Sequence, residues 1–439
     1  MAEPRTAILH RDGSLNYYEN YYDARANSNT NDVIVIYADL TLVPNEPIKL
    51  KDKVDIWIYP GVRIFNSSDM PTITDNSVSC DCRIYGSGII INTNSLSSGI
   101  NQACNFSNQN SKIEIECDFI ENAGTDIFSS CIVSSAEVFK LKCNYVFSKG
   151  NGGINLLNNN SEIDLKIKKI ETGMENNLNS GSTALVTRGS GFVEIDEILC
   201  RNLGHCLSHR GGTITARIKK MTTVNNRSGN ISTVHLNQGT NDQKLILYFD
   251  EIQNLTGIAN SLSAIEIKQG TGIFIGRRIF SDDKDTVIIG KNINSDPPQK
   301  LSIRCDEIIC SNHLALTIND SVHQTFIQAN RIETSFIAVI YSDGSGNFVL
   351  KNPTVRNTSS SSDAIGIGVD TNQTLIELNN VKIVAGNSTS GRPINVGNST
   401  QMIIFNYGLF SNAPLNPSLT SIKIGTDLNF LYIQSEDLT

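Results

Sequence analysis

The segment Leu165-Lys-Ile-Lys-Lys-Ile170 decides the fold, because its pattern returns further along the chain as Val193-Glu-Ile-Asp-Glu-Ile198. Each copy has an aliphatic residue, a spacer, a small or apolar anchor residue, two polar residues and a second aliphatic residue. Twelve copies follow one another between Ile115 and Leu409, at a mean spacing of about 26 residues. A fixed period of this size is typical of repeat architectures in which each repeat is one structural turn.

The anchor residues define the register of the repeat. They are Cys117, Cys143, Ile167, Ile195, Ile218, Phe249, Gly276, Cys305, Ala329, Asn352, Leu378 and Asn406. Upstream, Ile84-Tyr-Gly-Ser-Gly-Ile89 fits the pattern with its anchor at Gly86, and Val54–Ile58 is predicted to lie one turn earlier. Between copies lies a second alternating segment followed by a polar turn, and alternation indicates a half-buried strand.

Several strands in each period, with no sustained helical periodicity, describe one coil of a parallel β-helix. Leucine-rich repeats need a leucine and asparagine signature, and propeller blades need about 40 residues or more. The sequence therefore predicts an all-β, single-stranded parallel β-helix of roughly 13–15 coils, with about 26 residues per coil.

Stacking these coils would align the aliphatic residues in two rows inside the solenoid. Coils stack at the strand spacing of about 4.8 Å, and each coil buries its apolar face only against its neighbours. The first predicted row is Leu165, Val193, Ala216, Leu247, Phe274, Ile303 and Ile327. The second is Ile170, Ile198, Met221, Ile252, Ile279, Ile308 and Ile332.

The two polar residues after each anchor alternate in charge from coil to coil. They are Lys168-Lys169, Asp196-Glu197, Lys219-Lys220, Asp250-Glu251, Arg277-Arg278, Asp306-Glu307 and Asn330-Arg331. Stacked like charges repel and opposite charges attract, so the alternation supports this register. Each exposed contact stabilises by only about 0.2–1 kcal/mol.

The acidic pairs of this row are also the candidates for glycosidase carboxylates, which work in pairs. They are Asp196-Glu197, Asp250-Glu251 and Asp306-Glu307, and each lies between basic pairs in the predicted stack. A structural ladder is the favoured interpretation, and catalysis by one of these pairs is the alternative. Because no other catalytic motif occurs, the sequence assigns no catalytic residues; any activity would be that of a glycoside hydrolase or a polysaccharide lyase.

Ten cysteines are predicted to be free buried thiols, with Cys117 and Cys143 as stacked neighbours. One alternative is a zinc site, because cysteine and histidine are zinc ligands. It would use Cys200, His205, Cys206 and His209. The spacing of the two histidines converges only on a helix, whereas this segment has the pattern of a strand ending in a turn. We therefore predict no metal and no cofactor.

Composition excludes several partners. The net charge is −8 and the pI is about 5.4, with no basic block, which argues against nucleic acid. No apolar run approaches the roughly 18 residues of a membrane span. The opening Met1–Arg5 lacks the basic and apolar regions of a signal peptide.

Residues 1–31 are predicted to be a separate head before a rod that spans residues 32–439. Tyr17–Tyr22 concentrates four tyrosines in six residues, and 26–31 has a linker composition. An aromatic head can dock onto another protein. It can equally cap the first coil, whose open edge must be covered. Both interpretations stay open at this point.

The opening of the rod resembles that of phage tailspikes and other pectin-lyase-like β-helices. The resemblance rests on the strand Asp32–Tyr37, the run "I-x-L-K-x-x-V-x-I" at Ile48–Ile56 and "P-G-x-x-I" at Pro60–Ile64. By motif it covers residues 32–65, the opening coils; over the regular coils, about 80–430, it concerns architecture alone. It implies a right-handed β-helix.

The chain departs from the enzymatic members of that family. It shows no long insertion that would build a cleft and no clustered aromatic residues in the rod, and its single tryptophan, Trp57, lies in the opening block. No C-terminal trimerisation stalk is evident after Asn406.

From this resemblance we expect a phage virion protein, a head fibre or a tail fibre or spike. It would be a homotrimer located in the virion and assembled in the host cytoplasm, with the head segment contacting other virion proteins and the rod contacting host surface polysaccharide. One alternative is a tailspike-type polysaccharide depolymerase. The second is a bacterial adhesin or carbohydrate-binding rod.

Overall fold

The computed structural model of the protein consists of two compact units, residues 1–218 and 219–439. It describes residues 4–94, 102–124, 130–150, 152–173, 183–201, 204–225, 232–236, 243–256, 263–290, 299–318, 322–342, 345–359, 364–369, 373–385, 392–396, 402–411, 422–423 and 430–434. Strands account for 64% of the structure, and there is one helix among these residues. The predicted all-β class is therefore confirmed.

The first unit contains the helix and most of the short opening strands. These elements are β1 Thr6–Leu9, β2 Leu15–Tyr18, α1 Tyr21–Asn27, β3 Val33–Ile36, β4 Leu40–Thr41, β5 Ile48–Lys49, β6 Asp55–Ile58, β7 Arg63–Asn66, β8 Ile73–Thr74, β9 Asp81–Tyr85, β10 Ile89–Asn92, β11 Cys104–Phe106, β12 Lys112–Asn122, β13 Ser130–Ser134, β14 Val138–Ser148, β15 Gly152–Leu156, β16 Glu162–Thr172, β17 Leu185–Thr187, β18 Ser190–Arg201 and β19 Leu207–His209. Strand β20, Thr213–Asn225, begins in the first unit and ends in the second.

The second unit continues the same alternation of long and short strands. Its elements are β21 Val234–Leu236, β22 Lys244–Thr256, β23 Ile265–Ile267, β24 Thr271–Ser281, β25 Val287–Ile289, β26 Gln299–Cys310, β27 Leu316–Ile318, β28 Val322–Thr334, β29 Ala338–Ser342, β30 Ser345–Lys351, β31 Thr354–Asn357, β32 Ile365–Val369, β33 Gln373–Ala385, β34 Arg392–Val396, β35 Met402–Ser411, β36 Ile422–Lys423 and β37 Phe430–Gln434.

Within each unit the chain coils as a parallel β-solenoid with two sheets. Long strands such as β14 and β16 pair in parallel in the first sheet, and short strands such as β17 and β19 pair in parallel in the second. The chain forms about ten turns of roughly 27 residues each. The repeat length agrees with the predicted 26 residues per coil, whereas the number of turns is lower than the predicted 13–15 coils. The right-handed sense of the coil stays a prediction.

Burial along the long strands explains why the repeat has two halves. In β16, Ile163, Leu165 and Ile167 are buried with alternating exposed neighbours, and Ile170 is buried again after two outward-facing lysines. Two successive outward residues interrupt the alternation of a strand, and such an irregularity bends it. The polar pair of each repeat is therefore the place where the first sheet bends.

Both predicted aliphatic rows are confirmed by the strand register. Leu165 pairs with Val193, and Ile170 pairs with Ile198 in the next turn. In the second unit the same two rows run through β22, β24, β26 and β28. Every predicted member of the two rows is at most 2% exposed. The stacked rows are the core, and because single turns cannot bury these side chains, stability depends on the stack.

The predicted register is wrong at both ends of the repeat array. Ile90, not Ile89, pairs with Ile120, because the segment around Gly86 contains one more residue than the regular bend. Near the other end, Leu378 pairs with Leu350 rather than with Asn352. Asn352 has a positive φ of 64° and is followed by a proline without an N–H, so the long strand splits there into β30 and β31.

The last step is also shifted, by one residue. Phe405, not Asn406, pairs with Leu378. The register of the copies in the middle of the array, by contrast, agrees with the sequence pattern wherever the partners are described.

A row of buried polar residues at the end of each long strand was not predicted. In the first unit it contains Asn66, Asn92, Asn122, Ser148, Thr172 and Cys200, and in the second Asn254, Ser281, Cys310, Thr334 and Asn357. The Asn92 amide donates to the carbonyl oxygens of Met70 and Gln102, at 3.1 and 3.0 Å, and its side-chain oxygen accepts from the N–H of Asn94. The amides of Asn66, Asn254 and Asn357 likewise donate to backbone carbonyl oxygens, so the asparagines of the row satisfy backbone groups where the chain turns inside the solenoid.

The head packs on the opening turn. Strand β1 pairs antiparallel with β3, which is the first strand of the predicted rod. Tyr21 in α1 is buried, and its hydroxyl donates to the carbonyl oxygen of Lys49 at 2.8 Å; Arg25 Nε donates to the same oxygen at 2.7 Å. Residues 26 and 27, predicted to belong to a linker, lie in the helix. Docking of the head onto another protein stays a prediction.

Candidate functional site

The predicted charge ladder is present in the second unit. Glu251 contacts Arg278 at 3.2 Å and lies 4.0 Å from Lys220 Nζ in the preceding turn. Glu307 in turn contacts Arg278 at 3.7 Å and Arg331 at 3.5 Å. The register agrees, since Glu251 pairs with Arg278, and Arg278 with Glu307.

This ladder favours the structural interpretation of the acidic pairs in the second unit. The carboxylates of Glu251 and Glu307 each lie between two cations, and Asp306 accepts a hydrogen bond from the Asn330 amide at 3.1 Å. A catalytic acid must be free to exchange a proton with substrate. Groups held in this way by neighbouring turns fit the structural role better than the catalytic one.

In the first unit, a lysine of the predicted ladder contacts a carboxylate of its own strand. Glu197 pairs in register with Lys169, as predicted, but Lys169 Nζ contacts Glu171 of its own strand at 2.8 Å. Glu171 also accepts from the Tyr145 hydroxyl at 2.8 Å and from Arg201 Nε at 3.3 Å. Burial raises the pKa of Glu171, but the hydrogen bonds from Lys169 and Tyr145 lower it by more than burial raises it. The net shift of the pKa is therefore downward.

The structure does not assemble the zinc alternative. Across the described residues there is no group of three or more histidine, cysteine or acidic side chains that could hold a metal ion. Cys200 belongs to the buried polar row, and its sulfur accepts from the Thr172 hydroxyl at 3.2 Å. His209 is fully buried, with its ring nitrogens 2.9 Å from the Thr187 hydroxyl and 3.1 Å from the Gly212 carbonyl oxygen. These two residues are therefore packed into the wall of the solenoid.

All ten cysteines are free and buried, as predicted. Cys117 and Cys143 pair in register, and their sulfurs are 3.8 Å apart. The hydrogen bond to Cys143, together with burial, raises the pKa of Cys117 well above its usual value. Burial also raises the pKa of Cys305 to about 12. A thiol with a raised pKa forms little thiolate near neutral pH, so neither residue is a good nucleophile.

A groove with a volume of about 400 Å³ runs across five turns of the first unit, on the outer side of the first sheet. Its floor contains the anchors Cys117, Cys143 and Ile167, and the residues on either side of the anchors form its walls. These wall residues are Glu116, Asp118, Lys142, Asn144, Lys166, Lys168, Glu194 and Asp196. Because the first sheet bends just after each anchor, stacked bends produce a concave strip along the unit.

Charges of both signs line the groove, and several of them contact neighbours. Glu116 forms an ion pair with Lys142, and Asp118 accepts a hydrogen bond from the Asn144 amide at 2.8 Å. Asp196, predicted as half of a ladder pair, lines this groove beside Glu194. Both signs of charge are thus available to a ligand within one concave surface, a combination of polar groups that is common in binding sites.

Two aromatic clusters adjoin residues that line the groove, which corrects the prediction that the rod lacks clustered aromatic residues. Trp57 stacks almost parallel to Tyr85, with ring centroids 6.3 Å apart, and lies 4.8 Å from the Tyr59 ring. The residue after Tyr85, Gly86, lines the groove. Rings far apart in the sequence meet here because the solenoid places them in successive turns.

The second cluster adjoins the lining residues that follow the anchors. Phe119 and Tyr145 come directly after wall residues, and their ring centroids are 5.2 Å apart. Phe147 continues the cluster at 5.9 Å from Tyr145. Lys169 Nζ lies 5.4 Å from the centre of the Tyr145 ring. The sequence signal was available: in successive copies of the repeat, Phe119 and Tyr145 both occupy the second position after the anchor.

Comparison with other proteins adds no assignment. No family model, no curated protein and no solved structure matches the chain. The resemblance to phage tailspikes in residues 32–65 therefore stays a prediction. Within the described residues, no helix is both long and apolar enough to cross a membrane.

Proposed function

We propose that the chain is a fibre-type or spike-type structural protein of a phage virion, and that its first unit contacts a polysaccharide of the host surface. The observation that carries the second half is the groove of the first unit, together with the two aromatic clusters that adjoin its lining residues. Aromatic rings offer flat apolar faces with polar edges, and charged walls supply hydrogen-bond donors and acceptors for hydroxyl groups. A sugar chain presents both kinds of surface.

The length of the groove also suits an extended ligand. Its walls come from five successive turns, which at about 4.8 Å per turn extend over roughly 20 Å. A linear polysaccharide could make repeated contacts along such a strip, each of them weak. Weak contacts summed over a chain give avidity when several copies of the binding surface act together.

The virion location and the homotrimer rest on the resemblance of Ile48–Ile56 and Pro60–Ile64 to the opening coils of tailspikes. In that arrangement the head at residues 1–31 would contact other virion proteins. Mass spectrometry of purified phage particles tests the location, and sedimentation of the pure chain tests the trimer. Recovery from bacterial outer surfaces without particles would favour the adhesin instead.

A binding assay tests the role of the groove. The chain is mixed with immobilised capsular polysaccharides and lipopolysaccharides from a panel of bacteria, and the bound fraction is measured. Trp57→Ala and Tyr145→Ala should each weaken binding at least tenfold, because each removes the ring that contacts the other two rings of its aromatic cluster. Tyr248→Ala is the matched control, since Tyr248 is 40% exposed on the second unit. Equal binding by all four proteins would exclude the groove as the contact surface.

A polysaccharide depolymerase is the second candidate, and one observation favours it. Four carboxylates line the same groove, at Glu116, Asp118, Glu194 and Asp196, and paired carboxylates perform glycoside hydrolysis. Release of new reducing ends from a bound polysaccharide would support this candidate. Glu194→Gln and Asp118→Asn should then abolish release while binding is retained. Binding without release leaves the structural protein as the better description.

A further inference from the structure

Two arginines follow neighbouring strands of the second sheet in the first unit. Arg188 comes directly after β17 and Arg210 directly after β19. The preceding residues, Thr187 and His209, are register partners, and the N–H of Arg210 donates to the carbonyl oxygen of Thr187 at 2.9 Å. The two arginines therefore occupy equivalent places in successive turns, at the strand spacing of about 4.8 Å.

Glycines hold these turns close together. Gly212 has a φ of +74°, and a Cβ atom at this position would lie 2.0 Å from the carbonyl oxygen of Gly189. Only glycine fits such an approach. The stacking of the two turns, and hence the proximity of Arg188 and Arg210, is built into the backbone.

Neither guanidinium has an acidic partner within the part of the chain that the structure describes. Arg188 is half-buried, and its Nε is buried without a hydrogen-bond partner. Arg210 is half-buried as well, and its Nε donates to the Ser208 hydroxyl at 3.2 Å. Burial lowers the pKa of Arg210, and the charge of Arg188 lowers it further.

This arrangement is the opposite of the charge ladder. There, Glu251 and Glu307 each have cations in the adjacent turns; here, two cations follow strands of adjacent turns, and no carboxylate of the described residues lies between them. Like charges directly opposite each other destabilise a sheet, and a buried donor without an acceptor adds to the cost. An anion bound between the two side chains would offset both costs.

We propose that Arg188 and Arg210 form a binding site for an oxyanion, a phosphate, sulfate or carboxylate group. A guanidinium presents a planar fork of donors that matches two oxygens of such a group, and two forks in adjacent turns can hold one oxyanion from two sides. The Ser208 hydroxyl lies beside this pair. The site is on the second sheet, so it is independent of the role proposed for the groove.

The test measures the thermal midpoint of the whole chain against inorganic phosphate, with sodium chloride adjusted to keep ionic strength constant. Binding to the folded state should raise the midpoint saturably, by about 2–4 °C. In Arg188→Gln and in Arg210→Gln the response should need at least tenfold more phosphate. Arg83→Gln is the control, because Arg83 is an exposed partner of Glu114 and its loss changes the net charge equally.

Equilibrium dialysis with radiolabelled phosphate keeps the test valid if a variant melts early. One phosphate per chain should bind to the wild type and to the control, with at least tenfold weaker binding to Arg188→Gln. Adding unlabelled glucuronate distinguishes a phosphate ligand from a sugar carboxylate. If glucuronate displaces the labelled phosphate, the site also binds a sugar carboxylate. If no stoichiometric phosphate or glucuronate binds, or if binding survives in both arginine variants, the proposal is wrong.

Discussion

The charge ladder of the second unit and the groove of the first unit both lie on the outer side of the same kind of sheet. Their charged side chains nevertheless have different surroundings. In the ladder, Glu251 and Glu307 are each held by cations from the turns before and after. In the groove, Glu194 and Asp196 lie beside each other in one turn, and lysines of the neighbouring turn share the concave wall.

The difference follows from position relative to the bend. Ladder residues such as Glu251 come second after the anchor, on the outer side of the bend, where side chains of adjacent turns meet in register. Groove residues come immediately before or after the anchor, inside the concave side. Charges that neighbouring turns neutralise stabilise the solenoid. In the concave strip the Glu116–Lys142 pair is matched in this way, and the other charges of the strip line a surface that a ligand can reach. The comparison predicts that mutations separate the two regions by stability on one side and by binding on the other.

The largest expected effect concerns the buried anchors, which both regions share. The pKa of Cys305 is about 12 in the folded chain against 9.0 as the ordinary value. Below pH 9 both states keep the proton, and as pH rises from 9 towards 12 only the unfolded state loses it, so stability falls by about 1.4 kcal/mol per pH unit. Between pH 9 and pH 11, the free energy of unfolding of Cys305→Ala should therefore fall by about 3 kcal/mol less than that of the wild type.

Denaturant unfolding at a series of pH values in reducing buffer measures this difference. Cys117→Ala, beneath the groove, should show a reduced slope in the same direction, because its pKa is also raised. Identical slopes for wild type and both variants would show that these thiols do not contribute to the alkaline loss. The buried anchors of the two regions would then not make stability depend on alkaline pH.

Charge reversal in the ladder should have the next largest effect. Replacing Asp250 and Glu251 by lysines places them between Lys220 and Arg278, turning attractive layers into repulsive ones. We expect a loss of about 1–4 kcal/mol, reduced by salt. Thermal melts at low and high salt measure it. A midpoint that does not move at low salt would contradict the ladder as a stabilising device.

A matched pair of neutral substitutions gives the smallest effect and the sharpest comparison. Glu251→Gln removes two ion-pair contacts and should cost about 0.5–2 kcal/mol. Glu194→Gln should stay within about 0.5 kcal/mol, as is usual for surface substitutions. Denaturant midpoints of the two variants decide the matter. An equal or larger loss for Glu194→Gln would mean that the groove carboxylates are structural as well.

The regular part of the fold could be predicted from the sequence because its information is periodic. Rows such as Leu165 to Val193 repeat one chemical type at one spacing, and charge alternation checks the register independently. Prediction failed where the period is interrupted. Gly86 and Asn352 mark bends with unusual backbone, and Pro353 removes a donor from the ladder of backbone hydrogen bonds.

The candidate site was harder to predict because it is made by stacking. Trp57 and Tyr85 are isolated in the sequence, and only the register brings their rings together. Asn92 and Asn122, which belong to the row of buried polar residues, each lie two positions after a buried isoleucine, so the sequence shows them as a recurring polar position. Their burial could not be predicted, because asparagine usually prefers the surface. Aligning whole turns, rather than the anchor segment alone, would have revealed both features.

Lysine acetylation in the presence of bound polysaccharide tests the central claim, that the groove and not the ladder contacts the ligand. The protein is acetylated with and without a polysaccharide that it binds, and modification at each lysine is measured by mass spectrometry. Lys142 and Lys168, in the groove, should be protected several-fold, whereas Lys220, in the ladder, should be modified equally in both samples. Protection of Lys220 with no change at Lys142 and Lys168 would contradict the account.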